Sequence, residues 1–127
     1  MRHWPNGGED LLTLLGESTA SGTAVRDGGI LVSAAFRPHA LLTGEACYRN
    51  PVAQAASILH AIMVWQPLEL WNSGLAWAAA RTLLERYDLP LAMPPKDRME
   101  LTEDIISGSV ADVREIAVRL SPYLTVR

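Results

Sequence analysis

The 127-residue chain has one cysteine, Cys47. A single thiol excludes an internal disulfide and a cysteine-built zinc cluster, and it suits a reducing cytoplasm, where the protein is expected. Histidine is scarce too. His3, His39 and His60 stand too far apart for any two to share a helix face at adjacent turns, so no local metal clip and no metal site are expected. There is no basic field: the formal net charge is −3, which argues against direct binding to nucleic acid. No long apolar run exists either. The nearest, residues 58–70, is interrupted by His60, Gln66, Pro67 and Glu69 and is too short and polar to span a membrane. Residues 1–8 lack the apolar centre of a secretion signal. No internal repeat or low-complexity tract is visible.

What the chain has is apolar residues, 49% of the total, at a length that suits one domain over residues 1–127 with a core needing no staple. Residues 1–8 read as a free end or short strand. Leu11, Leu12, Leu14 and Leu15 suggest a short helix over 9–17. Residues 18–29, rich in Ser, Thr and Gly, read as a loop, and 30–36 as a short apolar helix stopped by Pro38. Residues 39–48 carry a Thr-Gly step that suits a loop or hairpin. Asn50-Pro51 is a helix start, with Asn as cap and Pro at the first position. The helix 51–65 is apolar on nearly every side, which marks a central, buried element, and Gln66-Pro67 ends it. Asn72 is placed to cap the next helix, whose Leu75, Ala78, Ala79, Leu83 and Leu84 share a face. Pro90, Pro94 and Pro95 read as a connector, 100–106 as a short helix closed by Gly108. Ser109 with Asp112 resembles a capping box before a last helix striped by Val110, Val113, Ile116, Ala117 and Leu120. The expected fold class is all-α, a bundle around the 51–65 helix.

Three pieces in order carry a resemblance. Residues 25–38 contain Arg26-Asp27, a Gly-Ile-Leu step, Ser33-Ala34 and Arg37-Pro38. Residues 43–48 read Thr-Gly-Glu-Ala-Cys-Tyr. Residues 55–62 read Ala-Ala-Ser-Ile-Leu-His-Ala-Ile and lead into Gln66-Pro67-Leu68-Glu69-Leu70-Trp71-Asn72-Ser73-Gly74. Together these are similar to the Doc-type branch of the Fic/Doc toxin family, whose signature is His-Pro-Phe-x-Asp/Glu-Gly-Asn-Lys/Gly-Arg. The resemblance implies a helical bundle whose central helix–loop–helix holds the active loop. It also implies a flap over that loop, carried here by Arg37, Pro38, Thr43, Gly44 and Glu45.

In that family the motif His is a general base acting on a hydroxyl of a target protein. The acidic residue helps hold Mg²⁺ on a nucleotide, the Gly lets backbone N–H groups approach phosphate, and the Arg neutralises phosphate charge. At these places stand Gln66, Leu70, Trp71 and Gly74. Gln has no titratable proton, Leu cannot hold a hard cation, and Trp crowds a phosphate cradle. Glu69 sits one place early. Leu68 stands at the place of the motif Phe. Pro67 and Asn72 remain, and Asn72, Ser73 and Gly74 at the helix start are the residues left for phosphate.

Other candidates have plainer readings. His60 is a displaced base or a core histidine satisfied by one hydrogen bond; Cys47 is a nucleophile or a small hydrophobe. Trp65, Trp71 and Trp77 read as core or pocket lining. Arg37, Arg49, Lys96 and Arg98 are the available cations for a substitute phosphate clamp. Two functions stand against each other. The first is a Doc-like toxin component with a degenerate motif, a pseudoenzyme that binds a protein partner such as an antitoxin, needs no cofactor, and is free to form oligomers. The second is a divergent transferase of AMP or phosphate that uses ATP or another nucleotide with Mg²⁺.

Overall fold

The computed structural model describes residues 24–125. The end expected over 1–8, the helix over 9–17 and residues 18–23 of the expected loop lie outside the described residues. Among the described residues the chain runs through α1 (Gly28–Phe36), a 3₁₀ turn (Arg37–His39), β1 (Leu41–Leu42), β2 (Glu45–Ala46), α2 (Pro51–Trp65), α3 (Asn72–Arg86), α4 (Pro95–Ser107), α5 (Val113–Leu120) and a second 3₁₀ turn (Ser121–Tyr123). The all-α reading holds, with one small hairpin.

The helix α1 starts earlier than expected because the Asp27 carboxylate accepts the Ile30 N–H at 3.1 Å. That cap draws Gly28 and Gly29 into the helix instead of the loop. The hairpin pairs Leu41 with Ala46 and Leu42 with Glu45, leaving Thr43 and Gly44 as a two-residue turn. Both have positive φ, 50° and 82°, as a primed turn requires, and Gly44 meets that need without strain.

Asn50 caps α2 by accepting the Ala53 N–H at 2.8 Å, and Pro51 stands at its first position. The helix packs against α1, α3, α4 and α5, which makes it the centre of the bundle. Ala55, Ala56, Ile58, Leu59, Ala61, Ile62 and Met63 are all buried, together with Ser57, whose hydroxyl donates to Gln54 O at 2.7 Å. Val64 is the departure from all-round burial: it lies open to solvent. On α3 the buried Ala76, Ala79 and Ala80 leave room for close approach to α2.

Two other expectations need correction. The α4 helix begins at Pro95, well before residue 100. A proline at the first helical position gives up an N–H that had no partner there and has its φ already set, so Pro94-Pro95 is the helix entrance as well as the end of a connector. Before α5 the cap is Asp112, which accepts the Arg114 N–H at 2.8 Å. Ser109 turns instead to the Ser107 hydroxyl, 3.1 Å away, so the Ser109–Asp112 box does not form. Val110 is buried from the preceding loop, while Ile116 and Leu120 carry the buried stripe of α5. No helix among the described residues is long and apolar enough to cross a membrane.

Candidate functional site

The loop between α2 and α3 is held from three directions. The first hold is segment 24–27. Arg26 N–H and Asp27 N–H donate to Pro67 O at 2.7 and 3.1 Å, Glu69 N–H donates to Ala24 O at 2.9 Å, and Val25 bridges Leu68. The second is the Arg26 side chain. Its Nε donates to Gln66 O at 2.9 Å and its Nη2 to Trp65 O at 2.8 Å, with a further contact from Nη2 to Gln66 O. These carbonyls end α2, where backbone acceptors are unpaired and the helix dipole is negative, so a guanidinium fits both needs. The Arg26-Asp27 step carries no local mark of this work: Arg26 closes α2 while Asp27 opens α1.

The third hold corrects the reading of Asn72. It is not the cap of α3, because the N-cap position is Trp71 and has no side-chain capping bond. The Asn72 amide reaches back across the loop. Its Oδ1 accepts Leu68 N–H at 2.9 Å and its Nδ2 donates to Leu68 O at 2.9 Å. This two-way pairing satisfies the backbone of Leu68, whose side chain is buried beneath the loop beside buried Pro67.

The loop is bracketed by two non-glycine residues in the left-handed region, Gln66 at φ 48° and Trp71 at φ 73°. A side chain there costs roughly 1–2 kcal/mol. Of the two places expected for Trp71, core or pocket lining, the core is excluded. Trp71 is 46% exposed, and its indole lies on Gly74: a Cβ at Gly74 would stand 2.3 Å from the Trp71 Nε1 and 2.4 Å from its Cε2. Leu70 and Gln66 are exposed. Trp65 and Trp77 follow the sequence reading. Trp77 is buried and donates its Nε1–H to Thr102 Oγ1 at 2.8 Å, and Trp65 is half-buried.

Arg37 ties the root of the hairpin to α2. Its Nε donates to Tyr48 OH at 3.1 Å, and its Nη1 donates to Ser57 O at 3.1 Å and to His60 Nδ1 at 2.8 Å. The guanidinium also lies 5.1 Å from the Trp65 ring centre, a cation–π contact one residue before Gln66. Arg37 is thus a part of the scaffold. Since arginine only donates, His60 Nδ1 accepts and its proton is on Nε2. Burial first, then the Arg37 charge, push the His60 pKa below its ordinary value of 6.5, against an opposing pull from Asp112. His60 is half-buried, neutral and spent at the nitrogen that would take a proton. Of the remaining flap residues, Pro38 is buried and Thr43 donates its hydroxyl to Leu42 O at 2.7 Å. Glu45 pairs with Arg49 at 3.0 Å in full solvent, a contact of little worth. Cys47 is exposed, not packed as a small hydrophobe.

A groove of about 670 Å³ runs between residues 47–53 and α5, lined by Val52, Ala53, Val113, Ala117 and Val118, with Arg49, Asp112 and Arg114 among its polar groups. It follows the start of α2, roughly 18 Å by helix rise from the loop at its end.

These features define a helical domain built on one buried helix, with a pinned helix–loop–helix and a hairpin rooted beside it. Over 116 residues, 91% of this chain and 89% of the relative, the sequence is 31% identical to Toxin Doc of Mycolicibacterium smegmatis. The chain belongs to the Doc toxin family. No family model matches it, and no solved structure matches it.

Proposed function

We propose that the chain is the toxin-type component of a toxin–antitoxin module that has lost nucleotide-dependent transfer and acts by binding a protein partner. The observation that carries this reading is the Trp71 indole lying on Gly74 at the start of α3. In the family pattern a glycine at the first place leaves backbone N–H groups open to phosphate and an arginine at the second neutralises it. Here the two places fill each other, and the positive end of α3 is covered by an aromatic ring.

The rest of the loop supports the same reading. Gln66 cannot serve as a base and Leu70 cannot hold Mg²⁺. Asn72, retained from the motif along with Pro67, has both ends of its amide engaged by Leu68. His60 is a poor replacement base because its Nδ1 is held by Arg37. Ser73 and Gly74 are then left without the groups that would make them a phosphate cradle. Beside the polar Gln66 and Glu69, the loop and the end of α2 present three apolar side chains to solvent: Val64, Leu70 and Trp71. Exposed aromatic and aliphatic side chains on a rigid support are the material of a protein interface. The partner expected from the family is an antitoxin segment.

The test is to identify an antitoxin-like reading frame beside the gene and to co-express its product with the chain, followed by purification and calorimetry. A stoichiometric complex that weakens at least about tenfold, the worth of one buried aromatic anchor, when Leu70 and Trp71 are changed to Ser supports the reading. A complex indifferent to both changes contradicts it.

A further inference from the structure

A second feature lies away from this loop, where α3, the start of α4 and the connector 87–94 meet. A pocket of about 110 Å³ is lined by Trp77, Arg81, Leu91, Met93 and Arg98. Trp77 and Met93 are buried and make an apolar floor. Two guanidinium side chains face this one small space, and neither forms an ion pair with a carboxylate among the described residues. The Nε of Arg98 is buried and has no hydrogen-bond acceptor among the described residues. The indole N–H of Trp77 does not compete for a ligand, since it is used on Thr102 Oγ1, whose hydroxyl donates in turn to Arg98 O at 2.8 Å.

Buried N–H groups are nearly always paired, so an unpaired one at a pocket wall calls for an acceptor. Two cations beside a low-dielectric floor, with no carboxylate among the described residues that line it, favour an anion there. We propose that this pocket binds a tetrahedral oxyanion, a phosphate or phosphoryl group, with Arg98 and Arg81 as its donors. Arginine forks match such oxygens two at a time. The volume sets the size of what enters. It is well below the roughly 300–1,000 Å³ of pockets that enclose drug-sized ligands, so a nucleoside stays outside and only the anionic group is enclosed.

The test uses the full chain at constant ionic strength, titrated with inorganic phosphate, a nucleoside monophosphate and the matching nucleoside. The Arg98 Nε–Hε signal is followed by NMR and the melting temperature by circular dichroism. Phosphate should shift the Arg98 signal saturably with a dissociation constant in the millimolar range or below. The nucleoside should do nothing. Tighter binding of the monophosphate than of phosphate identifies a phosphoryl group on a larger molecule as the ligand, and equal binding identifies free phosphate. Arg81 is exposed, so Arg81→Gln should leave the fold intact and weaken binding about tenfold, the worth of one charge-assisted contact. An Arg98 signal that does not saturate, acetate binding as tightly as phosphate, or affinity unchanged in Arg81→Gln overturns the proposal.

Discussion

Adding one methyl group at Gly74 should weaken the fold while Trp71 is present and strengthen it once Trp71 is gone. A Cβ there would lie 2.3 Å from the indole Nε1 and 2.4 Å from Cε2, far inside the roughly 3.5 Å of a normal contact, so the ring must leave. Trp71 is 46% exposed. About half of the 150–250 Å² of a tryptophan is therefore covered, and uncovering roughly 100 Å² costs up to about 2.5 kcal/mol at 25 cal/mol per Å². Against this, alanine is better than glycine in a helix by about 0.5–1 kcal/mol. Gly74→Ala should thus lose about 1–2 kcal/mol in the native chain. In a Trp71→Gly background the ring is absent and the same change should gain about 0.5–1 kcal/mol. Glycine at 71 also relieves the positive φ of 73°. Urea unfolding of the four proteins, followed by circular dichroism, gives the cycle, with a coupling of about 2 kcal/mol expected for residues in direct contact. Equal stabilisation by Gly74→Ala in both backgrounds would refute the packing of the ring on this glycine.

Leu59→Ala, at the fully buried centre of α2, should cost roughly 2–5 kcal/mol. A loss below about 0.5 kcal/mol in the same unfolding assay would mean that α2 is peripheral. Asn72→Ala strips two partners from the Leu68 backbone and should cost about 1–3 kcal/mol; a change comparable to that of a surface substitution would contradict the loop clamp. His60 adds a pH dependence. It is neutral in the fold with its pKa lowered from 6.5, so the unfolded chain takes up the proton first. Its contribution is complete above pH 6.5 and is lost as pH falls through the folded pKa. His60→Gln should flatten that part of the stability profile, and parallel profiles for the two proteins would show that His60 is not its source.

The parts of the fold legible in the sequence are those whose physics is local. Asn50-Pro51 fixes the start of α2 because cap and helix are adjacent, and the Thr43-Gly44 step marks its hairpin because the turn needs only its own two residues. Apolar residues around the whole of 51–65 gave the central helix for a similar reason: burial follows from composition. Pro94-Pro95 misled because proline both breaks a connector and opens a helix, and neighbouring residues do not say which. The candidate site was less legible. Asn72 could be seen as a cap, but its actual partners are the backbone groups of Leu68, set by the path of the loop. Arg26 pairs with carbonyls about forty residues on, which no local pattern foretells. The contact of Trp71 with Gly74 depends on a left-handed backbone at a residue type that rarely adopts it.

The most direct measurement of the proposed loss of transfer is label incorporation. The unmodified protein is incubated with nucleotide labelled in the α- or γ-phosphate, Mg²⁺ and a cytosolic extract. Labelled protein should stay at background, because loss of a general base removes about 10²–10⁴ in rate and loss of a phosphate-clamping arginine about 10³–10⁵. The quadruple change Gln66→His, Leu70→Asp, Trp71→Gly and Gly74→Arg serves as the comparison for a restored loop. Robust transfer by the unmodified chain, abolished when Gln66 or Asn72 is changed to Ala, would contradict the proposal and show that other groups have taken over the chemistry.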